Sequence, residues 1–114
     1  MRIEGNEYSV TFDLATHNIV FDGTLRLFDG QEYGKIERFM LDLFDLTMPH
    51  LVLNFRSLQF MNSSGINMLC SFVLKAKQHG RVPLRIVGNK DVLWQVKTLH
   101  NVQRLWSSIE LVFE

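Results

Sequence analysis

At 114 residues, 46% of them hydrophobic and nine of them Phe, the chain suits one domain that buries its own core without staples. Twelve basic residues balance twelve acidic ones and no basic cluster occurs, so a nucleic-acid or anionic-membrane role has no electrostatic footprint. The single cysteine, Cys70, excludes a disulfide framework, and no apolar run reaches bilayer length. Met1-Arg2-Ile3-Glu4 does not begin a signal peptide, so a cytoplasmic protein without membrane insertion is expected.

In chain order, Tyr8, Val10 and Phe12 alternate with Ser9, Thr11 and Asp13, the period of a half-buried strand. Thr16-His17-Asn18 supplies a turn, and Ile19–Leu27 gives a second strand, interrupted at Asp22-Gly23 by a turn or bulge. Together they read as a hairpin. Asp29 and Glu32 have the spacing of a capping box. The helix after them places Tyr33, Ile36, Met40, Leu43 and Thr47 on one face and ends at Met48-Pro49. Leu51–Phe55 is apolar on both faces until Asn54, as expected for a central strand covered by helices.

A second helix runs to His79 and stops at Gly80, which can take the left-handed conformation after a helix end. Ile66, Leu69, Cys70, Val73 and Ala76 form its inward stripe, and His79 sits favourably in its last turn. Pro83–Val87 is the next strand. Asn89 then caps a third helix whose apolar stripe is Val92, Leu93, Val96 and Leu99. Beyond Asn101 two patterns coexist. Val102–Trp106 fits a short strand followed by a capping box at Ser107–Glu110, while Ile109, Leu111 and Phe113 alternate as a strand would. Alternating strands and helices imply an α/β fold with right-handed crossovers and a partly parallel sheet.

No constellation argues for catalysis or for a bound cofactor. A nucleophile elbow and a Gly-rich phosphate loop are both missing. His17, His50, His79 and His100 are scattered, with no metal-ligand spacing to Cys70 or a carboxylate. The chemistry that is present lies in Phe60-Met61-Asn62-Ser63-Ser64-Gly65, between a buried strand and an amphipathic helix. Asn and Ser are the residues whose side chains satisfy free N–H groups at a helix start. The same N–H groups and the helix dipole favour an added negative charge. The residues alone therefore fit either a plain helix cap or a switchable phosphorylation site. Met61, Met68 and Phe72 lie towards the exposed side of this helix start and could form an apolar partner patch or tuck in as core.

The segment Leu53-Asn54-Phe55-Arg56-Ser57-Leu58-Gln59-Phe60-Met61-Asn62-Ser63-Ser64-Gly65-Ile66 resembles the signature of the STAS domain (sulphate transporter and anti-sigma factor antagonist). That signature is a strand ending in Asp-Leu-Ser, a short loop, and Phe-Met/Ile-Asp-Ser-Ser-Gly-Leu opening a helix. The resemblance implies one STAS-like α/β domain over residues 1–114, with a mixed, mostly parallel sheet of four to five strands. Three to four helices would lie mainly on one face. It further implies phosphorylation at Ser63; with the apolar residues of the helix start added, partner binding is expected through Met61, Asn62, Ser63, Ser64, Gly65, Met68 and Phe72. The partners implied are a serine kinase or anti-sigma factor of the histidine-kinase-like ATP-binding fold and a metal-dependent serine phosphatase. The chain departs from the switching members at Asn54 and Asn62, where they usually carry aspartate. This departure favours an alternative, a non-phosphorylated STAS subunit of a transport or scaffold complex.

Overall fold

The computed structural model describes all 114 residues. Nine elements follow one another: β1 (Arg2–Glu4), β2 (Tyr8–Asp13), β3 (Asn18–Leu25), α1 (Gly30–Phe44), β4 (Leu51–Met61), α2 (Ser63–His79), β5 (Leu84–Gly88), α3 (Leu93–Gln103) and β6 (Glu110–Phe113). The six strands make one sheet in sequence order. β1, β2 and β3 pair antiparallel, and β3, β4, β5 and β6 pair parallel. Each helix connects neighbouring parallel strands, and each step runs the same way across the sheet. Right-handed crossovers then put all three helices on one face. No helix is long and apolar enough to cross a membrane.

The strand periods decide which face is core. Tyr8, Val10 and Phe12, then Ile19, Phe21 and Leu25, then Leu53 and Phe55, then Leu84 and Ile86 point under the helices and are buried. Phe21 and Phe55 stack with ring centroids 4.5 Å apart, joining the hairpin to the central strand. On the other face Val52, Asn54 and Val87 are also nearly covered. Long side chains screen them. Arg56 reaches from Asn54 Oδ1 to Glu114, and Arg85 pairs with Glu110 across β5 and β6. Leu51–Phe55 is thus buried on both faces, as its composition predicts.

Several expectations need correction. The sheet has six strands, not four or five, because β1 pairs with β2 and β6 with β5. The C-terminal segment is a strand, and Val102 belongs to the end of α3. α1 ends at Phe44 rather than at Pro49, so Thr47 is exposed in a left-handed turn (φ 58°) and has no place on the buried face. Asp29 does cap α1, accepting from Gln31 N at 2.8 Å. The reciprocal half of the box is absent, because the Glu32 carboxylate accepts instead from Tyr8 Oη at 2.7 Å.

α2 starts and stops where expected, with Gly80 left-handed (φ 54°) and its N–H on Ala76 O. Its inward stripe, however, is Gly65, Met68, Leu69, Phe72, Val73 and Ala76, while Ile66 and Cys70 are only half-buried. The helix is rotated because it packs on two things at once. Leu69 and Val73 lie in the core, and the neighbouring side meets α1, where Phe72 packs edge-on against Phe44 at 6.1 Å. Burial still raises the Cys70 thiol above its ordinary value.

Two measurements test this packing. Leu69 is fully buried, so Leu69→Ala should cost about 2–5 kcal/mol in denaturant unfolding. Tyr8 is pushed up to about 12, first by desolvation and then by its bond to Glu32 and that carboxylate's charge. The folded state therefore keeps a proton that the unfolded chain releases near pH ~10. Unfolding free energy should fall as pH rises through that window, and Tyr8→Phe should flatten the fall.

Candidate functional site

The segment singled out by sequence lies at the carboxyl ends of the parallel strands, the end where open α/β sheets usually bind. Asn62, not a serine, is the N-cap of α2. Its backbone is extended (φ −77°, ψ 175°), and its Oδ1 accepts from Gly65 N at 3.0 Å. The same oxygen accepts from Tyr33 Oη at 2.6 Å, and Asn62 Nδ2 donates to Leu27 O at 3.0 Å. The main chain adds Asn62 N to Leu25 O and Ile66 N to Asn62 O, both at 3.0 Å. Asn62 thus joins the end of β3, the first turns of α1 and the start of α2.

Tyr33 is the donor this arrangement needs. Burial raises its phenol above the ordinary value, with the Leu27 N–H pulling the other way, so it stays protonated. Gly65 lets it come close. A Cβ at Gly65 would stand 2.9 Å from Tyr33 Oη and 2.6 Å from the Met61 side chain, so any other residue would push both away.

Ser63 and Ser64 are the first two residues of α2, both exposed. Their N–H groups have no intrahelical acceptor, and no acidic side chain occupies the first turn. The cap is already supplied by Asn62, so the Ser63 hydroxyl is not consumed by it.

The apolar residues expected beside Ser63 are not on the surface. Met61 and Met68 are almost wholly covered and Phe72 is fully buried, because α2 turns that side towards α1. The exposed apolar side chains at this end of the sheet are others. Phe28 (98% exposed) follows the Leu27 carbonyl that Asn62 holds, Phe60 (43%) precedes the cap, and Leu93 (90%) opens α3. The spacing of α3 mispredicts its inward face: Leu93 and Val96 are exposed, and Gln95, Leu99 and Val102 are buried. Asn89 is not its cap. It makes a turn, accepting from Asp91 N at 2.9 Å, and Val92 takes the N-cap position without a side-chain bond.

The family model of the STAS domain matches residues 9–110. The chain belongs to the STAS domain family. Among solved structures it is similar to apo-SiaC from Pseudomonas aeruginosa, with TM-score 0.75 and 15% identity over 100% of this chain and 98% of that one. It is also similar to a chain from the complex of the diguanylate cyclase SiaD with its activator SiaC, from the same organism. That comparison has TM-score 0.74 and 16% identity, and covers 100% of this chain and 99% of that one. At such identities the likeness establishes the fold. No curated protein matches the sequence significantly.

The bonding at Asn62 calls for an amide. Its amide uses both halves, oxygen towards two donors and nitrogen towards a carbonyl. An aspartate would keep the cap but set a second oxygen against Leu27 O. Asp and Asn are about equal as N-caps elsewhere. Here Asn62→Asp should nonetheless destabilise by about 1–3 kcal/mol through the lost donor and the facing carbonyl. Urea unfolding at neutral pH checks this, and an Asp variant as stable as wild type would refute the assigned bonding.

Proposed function

We propose that this STAS domain is a protein-binding regulator whose attachment to its partner is switched at Ser63. The observation that carries the reading is that Asn62 caps α2, which leaves the exposed Ser63 hydroxyl at a helix start free for modification. A phosphate there meets the unpaired N–H groups of Ser63 and Ser64 and the positive end of the helix, so the domain tolerates it. A partner seated on the same end must desolvate nearly two negative charges, so it lets go.

The binding residues of the proposal are Asn62, Ser63 and Ser64, with Phe28, Phe60 and Leu93 as the apolar contacts around them, while Gly65 is buried and serves the packing of Tyr33. By family resemblance the partner is a serine kinase or anti-sigma factor of the histidine-kinase-like ATP-binding fold, and a metal-dependent serine phosphatase resets the switch. SiaC, which shares the fold, is described as the activator of a diguanylate cyclase and was crystallised with it. An enzyme regulated by contact is therefore a second kind of partner for this chain. The amide of Asn62, as distinct from its capping role, favours an alternative to the switch. A site built round a neutral amide suits a fixed subunit of a transport or scaffold complex, bound without a phosphate cycle.

The test is co-precipitation from the native cell extract with wild type, Ser63→Asp, Ser63→Ala and Ser64→Ala, followed by titration of the purified partner. Ser63→Asp should melt close to wild type yet bind at least tenfold more weakly, about 1.4 kcal/mol per decade. Ser63→Ala should bind but ignore kinase and ATP, and Ser64→Ala should still be phosphorylated. Mass spectrometry of the Phe60–Lys75 peptide locates the phosphate. Phosphate found only elsewhere eliminates Ser63 as the switch, and a partner held equally by all variants with no phosphate selects the fixed subunit.

A further inference from the structure

β4 is paired unequally. β3 follows it as far as Met61, whereas β5 accompanies only Leu51–Asn54. Its register against β3 also shifts between Val20 and Asp22 and again between Gly23 and Thr24, so the ladder is irregular where the strand approaches Asn62. On the β5 side, the carbonyls beyond Asn54 would be left bare at a covered edge, which is costly without donors.

The donors come from the segment after β5. Gln95 is wholly buried. Its Nε2 donates to Phe55 O at 2.6 Å and to Leu58 O at 2.9 Å, and its Oε1 accepts from Asn89 N at 2.7 Å. Asn89 Nδ2 donates to Arg56 O at 3.2 Å, and Trp94 Nε1 donates to Gln59 O at 2.9 Å. Side chains from one short segment thus hold the carbonyls of the stretch that leads into Asn62 and Ser63. A buried carboxamide is expensive unless every polar atom is used, and here each is.

We infer that Gln95 and Trp94 are positioning residues for the Ser63 segment, fixing the path of Gln59–Asn62 and hence where Ser63 stands before a partner. The consequence for binding rests on the switch reading above; the clamp itself is a property of the free protein. Gln95 has no exposed surface, so it cannot touch a partner, and its effect on binding must pass through the groups it holds, the Phe55 and Leu58 carbonyls of β4 and the Asn89 N–H. Leu93, exposed on the same turn, offers a partner direct leverage on the clamp.

Amide hydrogen exchange on wild type, Gln95→Met and Trp94→Phe tests it. The first variant keeps length and bulk without the donors, and the second keeps an aromatic ring without the N–H. Exchange across residues 55–66 should speed up by roughly tenfold or more, while α1 and the β2–β3 hairpin stay as in wild type. A uniform rise through the core, or no change, overturns the inference. Should Gln95→Met fail to fold, Trp94→Phe, at a half-buried position, decides alone. A second reading is affinity for the purified partner identified by co-precipitation, which Gln95→Met should weaken roughly threefold or more with its surface unaltered. If Ser63→Asp leaves binding unchanged while exchange still rises locally, the switch fails and the clamp stands. If Ser63→Asp weakens binding while both variants match wild type in exchange and affinity, the clamp alone is overturned.

Discussion

The side chain of Asn62 is the point at which three otherwise separate parts of the chain agree on a geometry. β3 ends in carbonyls that need donors, α2 begins with N–H groups that need acceptors, and α1 brings in a buried phenol that needs an acceptor of its own. One carboxamide answers all of these demands because it has an acceptor and a donor on opposite sides. The neighbouring Gly65 is the steric counterpart of that bonding: without its missing Cβ, Tyr33 could not approach the cap. Each contact is an ordinary hydrogen bond, worth about 1 kcal/mol net. Their concentration on one residue makes the junction definite.

This arrangement gives the capping task to a single residue. In a helix that begins Asn-Ser-Ser-Gly, any of the first three residues has the chemistry of a cap. Assigning the cap to Asn62 leaves both serines facing solvent at the positive end of the helix dipole, which favours negative charge. An amide rather than a carboxylate at position 62 has a local explanation. It matches the Leu27 carbonyl, which a carboxylate would repel.

The strand feeding the junction is less regular than the sheet around it. Its lower half is a central strand with a partner on each side, and its upper half has one strand partner and a row of side-chain donors. A ladder of backbone bonds cannot be edited residue by residue, whereas a side-chain clamp can. The same turn of α3 turns Leu93 outwards and Gln95 inwards, against the usual order of apolar and polar residues. Both exceptions have one cause. The interior at that point is lined with carbonyls, so the residue it accepts is the one with an N–H₂ to give.

Much of this was readable from sequence, because the signals were local. Alternation at Tyr8–Phe12, the doubly apolar Leu51–Phe55, helical spacing after Ser63 and Gly80 at the helix end each report a backbone preference or a covered face within a few residues. The Ser-Ser-Gly segment and the STAS family were legible in the same way. Periodicity, however, states that a face is covered and not by what. α2 is covered by the sheet and by α1, so its buried arc widened to take in Met68 and Phe72 and removed them from the surface patch. β1 is three residues long and exists only because β2 offers it an edge. Whether Asn62 or Ser63 caps α2 depended on Tyr33, 29 positions away, and the burial of Gln95 depended on carbonyls 40 and 37 positions away. Local sequence determined where the elements begin and end. The choice among chemically equivalent residues was left to long-range hydrogen bonds, which form only once the sheet and helices have packed.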